Sequence, residues 1–115
     1  MKSLNSVQLI GHLGSDPECK EHDKKMVAKF SLATGEEWLD KLSQEKQTAT
    51  EWHKVVCFNK LAEIVKKHLK KGERIYISGK LKTSRWQDKN NEARSITEII
   101  ADELILLSNK AGDSH

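Results

Sequence analysis

Hydrophobic and polar positions alternate cleanly over two stretches of the chain. From Met26 to Thr34, Ala28, Phe30 and Leu32 fall on one side, and Lys29 and Ser31 on the other. From Arg74 to Trp86, the odd positions Ile75, Ile77, Gly79, Leu81 and Thr83 form an apolar, core-facing side. The even positions there are Arg74, Tyr76, Ser78, Lys80, Lys82, Ser84 and Trp86. A period of two predicts half-buried strands. Leu4 to Leu13 is rich in Val, Leu and Ile and breaks at Gly14-Ser15-Asp16-Pro17, a turn signal. Glu51 to Asn59 and Ser95 to Leu107 are also strand-like. Leu61, Ile64, Val65, His68 and Leu69 instead follow the spacing of one helical face. Asn59 is placed to cap that helix, and Gly72 to end it. Asp88-Lys89-Asn90-Asn91 predicts a hairpin tip. Glu18 to Lys25 is expected to be a polar connector, and Glu36 to Thr50 a long surface loop without period.

The predicted order is three strands, a helix, then two strands. This matches a mainly β fold, a five-stranded Greek-key barrel of the OB-fold type with one helix between strands 3 and 4. With 115 residues and 13.1 kDa the chain has the size of one domain. That domain is expected over residues 1–107, with a short flexible tail at 108–115. No apolar run approaches the ~20 residues of a membrane helix, so no membrane partner is expected. The N-terminus has no apolar signal core. Two cysteines, Cys19 and Cys57, fit reduced thiols rather than a disulfide framework.

The formal net charge is only +3, but it is unevenly spread. Trp52 to Trp86 holds ten Lys or Arg and two acids, a net of +8, which leaves −5 for the remainder. A basic central third suggests a polyanion partner. Parity sharpens this. On Glu51 to Lys60, Trp52, Lys54, Val56, Phe58 and Lys60 share a face; on the later strand, Tyr76, Lys80, Lys82 and Trp86 do. Cations neutralise phosphates and flat rings stack on unpaired bases, so the combination suits single-stranded nucleic acid. The competing reading makes Trp52 and Phe58 core aromatics ringed by snorkelling lysines. Phe30, between Ala28 and Leu32, is assigned to the core. Trp38 lies beside Lys41 at the edge of the expected loop, where a binding role suits it.

These residues resemble the bacterial-type single-stranded DNA-binding proteins. The resemblance runs from about Asn5 to Leu107. It is carried by Asn5 to Glu18, Phe30-Ser31-Leu32-Ala33-Thr34, Thr50 to Val56, Phe58 to Glu63, Leu69 to Gly72, Ile75 to Leu81 and Thr83 to Trp86. It implies base stacking by Trp38, Trp52, Phe58 and Trp86. It implies cations along the strand's path at Lys41, Lys54, Lys60, Lys71 and Arg85, with Arg94 near the hairpin. Lys82 joins them on parity. It also implies a homotetramer with His53 at a subunit interface. The last strand agrees, since Ile99, Ala101, Ile105 and Leu107 on one parity face Ile96, Ile100, Leu104 and Leu106 on the other, more apolar surface than one barrel interior holds. The implied work is sequence-tolerant binding and protection of single-stranded DNA in replication, recombination and repair. The implied compartment is the cytoplasm, at the nucleoid, or an organellar matrix for an organellar member. Two departures stand out. The connector Cys19 to Lys25 lacks the family's glycines. The chain stops at His115 without the acidic, hydrophobic tip through which cellular members recruit replication and repair proteins, so that recruitment is not expected.

Two other classes compete. A replication-restart or RNA-binding OB-fold module would not need three tryptophans at stacking positions. A small barrel nuclease would need clustered acids, and the basic segment offers only Glu63 and Glu73. Cys19, His22, His53 and Cys57 could supply four zinc ligands. The His-x₃-Cys spacing is unusual on a strand, so a buried Cys57 and an exposed Cys19 are expected. No catalytic residue, metal or cofactor is therefore expected.

Overall fold

A computed structural model describes residues 1–107. Six strands and one helix follow in the order β1 (Val7–Leu13), β2 (Glu18–His22), β3 (Lys25–Leu39), β4 (Lys46–Phe58), α1 (Asn59–His68), β5 (Arg74–Gln87) and β6 (Ala93–Leu106). Antiparallel ladders join β1 to β5, β5 to β6 and β4 to β3. A short parallel pairing, Val55↔Ile99 and Val56↔Ile100, joins β4 to β6. The ring then closes through His12↔Ala33 and Leu13↔Leu32 between β1 and β3. These five strands form the expected barrel, and the helix connects its third and fourth members. Closing the ring brings β1 hard against β3: a Cβ on Gly11 would lie 2.3 Å from the Ala33 carbonyl oxygen. Only glycine fits there.

β2 is an additional strand on the outer edge of β3, from Glu18↔Lys29 to His22↔Lys25. The expected connector is thus paired backbone. Four of its five side chains are exposed, which is why no alternation marked it. Cys19, expected to be exposed, is half-buried and packs against the core. The expected loop 36–50 is likewise mostly strand. β3 and β4 pair without interruption from Val27↔Phe58 out to Leu39↔Lys46.

Leu13, Ala28, Phe30, Leu32, Val55, Cys57, Ile75, Ile77, Ile99 and Ala101 fill the interior. Ala62, Val65 and Leu69 from the helix segment belong to the same cluster, so α1 plugs one end of the barrel. Each fully buried aliphatic contributes about 1.5–3 kcal/mol of transfer free energy. Burial pushes the Cys57 thiol up to about 12, with Cys19 adding a smaller push.

Three local expectations need correction. The helix buries the stripe 62, 65, 69, so Ile64 and His68, on its flank, are exposed. Asn59 is not the cap: that position falls to Phe58, which makes no side-chain cap bond. Asn59 instead takes φ 53 at the first helical position, a left-handed conformation that asparagine tolerates better than most residues. Leu81 and Thr83, expected on the core-facing side, are exposed. The β1 ladder stops at Val7↔Gly79, so the barrel wall ends before Leu81. The Asn5 amide reaches further: its Nδ2 donates to the Leu81 carbonyl at 2.8 Å, and the Leu81 N–H donates to its Oδ1 at 2.9 Å. Gly72, at φ 90, lies in the turn after the helix, three residues past the cap at Leu69. The tail expected at 108–115 lies outside the described residues. Among the described residues, no helix is long and apolar enough to cross a membrane.

Candidate nucleic-acid interface

The parallel contact between β4 and β6 is two residue pairs long, and beyond it the sheet divides. On one side β3 and β4 continue as a two-stranded arm to Leu39↔Lys46. On the other, β5 and β6 continue to Gln87↔Ala93. Two clefts of about 370 and 270 Å³ open where the arms part, and Lys54 and Ile96 line both. Trp52 lines the larger and Glu98 the smaller.

All four candidate rings face solvent. Trp52 is 61% exposed, Trp38 and Trp86 49%, and Phe58 46%. The core-aromatic reading fails for Trp52 and Phe58, while Phe30 is buried as expected. Alternation along β4 puts Trp52, Lys54 and Phe58 on the outer face, with Val55 and Cys57 turned inward. Trp38, paired with Gln47, lies five pairs beyond Ala33↔Trp52 and on the opposite pleat. At ~3.4 Å per residue it is ~17 Å further along the arm. Trp86 pairs with Arg94 near the end of the second arm. A cleft of about 400 Å³ adjoins both residues.

The cations differ in how free they are. Lys54 sits at the seam, one turn of pleat from Trp52. Lys60 is exposed on the first turn of α1. The backbone N–H of Lys71 donates to Asp16 Oδ1 at 2.9 Å, which ties the β1–β2 turn to the turn after the helix. Lys82 stands across the ladder from Glu98. Arg85 alternates with Trp86 and so takes the opposite face of the arm. Lys41 lies in the turn of the first arm. Arg94 is already engaged: its Nε donates to Asp88 Oδ2 at 2.8 Å, and an Nη to Glu92 Oε2 at 3.3 Å. Asp88 also accepts the Asn90 and Glu92 N–H groups. Arg94 and these amides hold its carboxyl below the usual range. His53 is half-buried, with its Nε2 2.8 Å from the Thr34 hydroxyl.

Sequence reasoning missed Glu98. Its side chain is 17% exposed, and one carboxylate oxygen is 3.9 Å from Lys29 Nζ, so an acid stands among the cations at the seam. Its even position on β6 carried no signal, because apolar residues occupy both parities there. In the sequence Asp88 marks only a turn. Its grip on Arg94, six positions on, follows from the hairpin register. Cys19, His22, His53 and Cys57 form no metal set: no group of three or more possible ligands occurs among the described residues.

Comparison with known proteins places this arrangement. The model of the single-strand binding protein family matches residues 4–107. A curated relative, single-stranded DNA-binding protein 1 of Xylella fastidiosa (strain 9a5c), is 46% identical over 111 residues, covering 96% of this chain and 82% of the relative. A solved structure described as Plasmodium falciparum SSB complex with ssDNA superposes with a TM-score of 0.85 at 38% identity. The match covers 94% of this chain and 98% of that one. On the family match and the identity together, this chain belongs to the single-strand binding protein family.

Proposed function

We propose that this chain binds single-stranded DNA with little sequence preference and shields it during replication, recombination and repair. The strand runs through the seam between the two arms. Trp52, Trp86 and Phe58 stack on bases, and Trp38 reaches a more distant base along the first arm. Lys54, Lys60, Lys71, Lys82 and Arg85 neutralise phosphates. The observation that carries this is the exposure of Trp52: a large ring at the root of the arm, 61% open to solvent beside Lys54, in a barrel too small to leave such a ring unused. Stacking needs only a π-face, which every base has, so the reading entails sequence tolerance. The role is binding rather than catalysis, in whichever compartment holds the DNA, the nucleoid or an organellar matrix.

The binding unit is proposed to be a homotetramer. Ile10, Tyr76 and Ile105 stand in register across β1, β5 and β6, and Ile10 and Ile105 are exposed. A row of this kind on an outer face suits burial against another copy. His53 is proposed to lie at a subunit contact. Sedimentation at micromolar concentration tests the assembly.

Titration with poly(dT), duplex DNA and RNA, followed by tryptophan fluorescence, tests the binding. Strong quenching by poly(dT) and little by duplex is the expected result, because duplex bases are already stacked. Equal affinity for duplex would overturn the proposal, and tighter binding to RNA would transfer it to that polymer.

A further inference from the structure

We propose that Gly14 is a positioning residue for Trp52, keeping clear the space in which the indole lies. The inference rests on the stacking role proposed for that ring. Trp52 is on β4 and Gly14 follows the end of β1, with β3 between them. Ala33 of β3 pairs with Trp52 on one side and His12 on the other. The indole therefore reaches across β3, past the short side chain of Ala33, to the Gly14 backbone.

The contact is tight. A Cβ built on Gly14 would stand 2.2 Å from Trp52 Cζ3, 2.9 Å from Cη2 and 3.3 Å from Cε3. Its three nearest neighbours are all atoms of the six-membered ring of that indole. Ordinary carbon contacts lie near 3.5–4.0 Å, so one added methyl must displace the ring by roughly 1 Å or more. Nothing else demands glycine here. Gly14 is not among the residues with positive φ, and its N–H donates to the Ser31 carbonyl at 3.0 Å, a bond that alanine keeps. What glycine adds is the seat itself: the ring rests on bare backbone, fixed from below, with its free side toward solvent. A stacking platform works only if it is held within a fraction of an ångström of the productive pose.

The test is a double-mutant cycle on the whole chain. Affinity for poly(dT) is measured for Gly14→Ala, Trp52→Ala and the double variant, with thermal melting of each. Expected is a loss of roughly 5- to 30-fold for Gly14→Ala, within the range a stacked base is worth. In the Trp52→Ala background the same change should cost less than ~2-fold, because the ring it displaces is gone. A fluorescence signature should accompany this. With Trp38 and Trp86 changed to Phe, so that Trp52 is the sole tryptophan, Gly14→Ala should reduce quenching by poly(dT). Equal losses in both backgrounds would mean a general packing defect and overturn the proposal. So would wild-type affinity of Gly14→Ala while Trp52→Ala is weakened. If Trp52→Ala itself binds normally, the stacking reading falls and takes the role of Gly14 with it, a different outcome from the previous two. Should Gly14→Ala fail to fold, Gly14→Ala with Trp52→Phe decides. That shorter ring should restore folding, and its persistent loss would overturn the assignment.

Discussion

The two arms that leave the barrel share a construction and differ in chemistry. Each is a two-stranded ladder ending in a turn held by an aspartate. Asp40 accepts the Ser43 hydroxyl at 2.8 Å, and Asp88 accepts the Asn90 N–H at the same distance. Residues 34–53 of the first arm carry five acids and two bases, a net of −3. Residues 80–100 of the second carry five bases and three acids, a net of +2. Yet the first arm holds two of the three tryptophans. The contrast suggests an uneven division of work between the arms, in which more of the proposed stacking falls to the first, with Trp38 and Trp52, and the phosphate contacts of Lys82 and Arg85 fall to the second, where Trp86 also stacks. It also explains how a chain of small net charge can offer a local track for a polyanion.

The comparison assumes a common rigid root. Ile77→Ala tests that root and should have the largest effect, a loss of about 2–5 kcal/mol in stability, because Ile77 is fully buried. Denaturant unfolding measures it. The molecules that remain folded should still bind poly(dT).

Trp52→Ala comes next. It should weaken poly(dT) binding by about 1–3 kcal/mol with little change in melting temperature. Trp38→Ala should cost less, since that ring lies further out and on the other pleat. Early melting of Trp52→Ala with unchanged affinity would falsify the assignment of rings to the first arm.

Charge removal sharpens the contrast between the arms. Arg85→Ala or Lys82→Ala should each flatten the log–log salt dependence by ~0.7, the value per phosphate on a single strand. Lys41→Ala, among the acids of the first arm, should change it much less. Equal effects on both arms would erase the division of work.

The smallest effect belongs to the tip of the second arm. Asp88→Asn removes one of the two carboxylates that hold Arg94. If the freed guanidinium takes a phosphate, the salt dependence steepens by up to ~0.7. The acid limb follows from the same carboxylate. Asp88 and Asp40 are both held below the usual range, Asp40 chiefly by the Ser43 hydroxyl and then the Leu42 N–H. Their stabilising contributions are in place above the ordinary aspartate range and are lost as pH falls through the depressed values. At neutral pH neither turn should titrate, so the melting profiles of the wild type and of Asp88→Asn should run parallel from pH 6 to 8.

The same contrast governs what could be read from the sequence. Period-two alternation needs one face in the core and one in water. The inner half of β3 and the first residues of β5 satisfy it and were legible. The outer half of the first arm has water on both faces, so Glu36, Glu37, Thr48 and Thr50 look like loop residues although their backbones are paired. β2 was hidden for the same reason. Leu81 misled in the opposite sense: its parity is that of the core, but the wall it would pack against ends at Gly79. Among the proposed site residues, the exposed rings Trp52, Phe58 and Trp86 stand out in the sequence because aromatics on the lysine face of a strand are conspicuous. The partner of Arg94 did not, since an aspartate in a turn looks the same whether or not a guanidinium comes back to it.

The interior cysteine gives the molecule a clock. A thiol raised to about 12 and sealed in the core is protonated at neutral pH and out of reach of an alkylating reagent. Its modification must wait for an excursion that unseals the barrel, so the labelling rate of Cys57 counts those excursions. Cys19, half-buried on the edge strand of the same chain, supplies an internal reference that reacts without the whole structure coming apart. The ratio of the two rates, followed with and without poly(dT), would report how far a bound strand keeps the ring of strands shut.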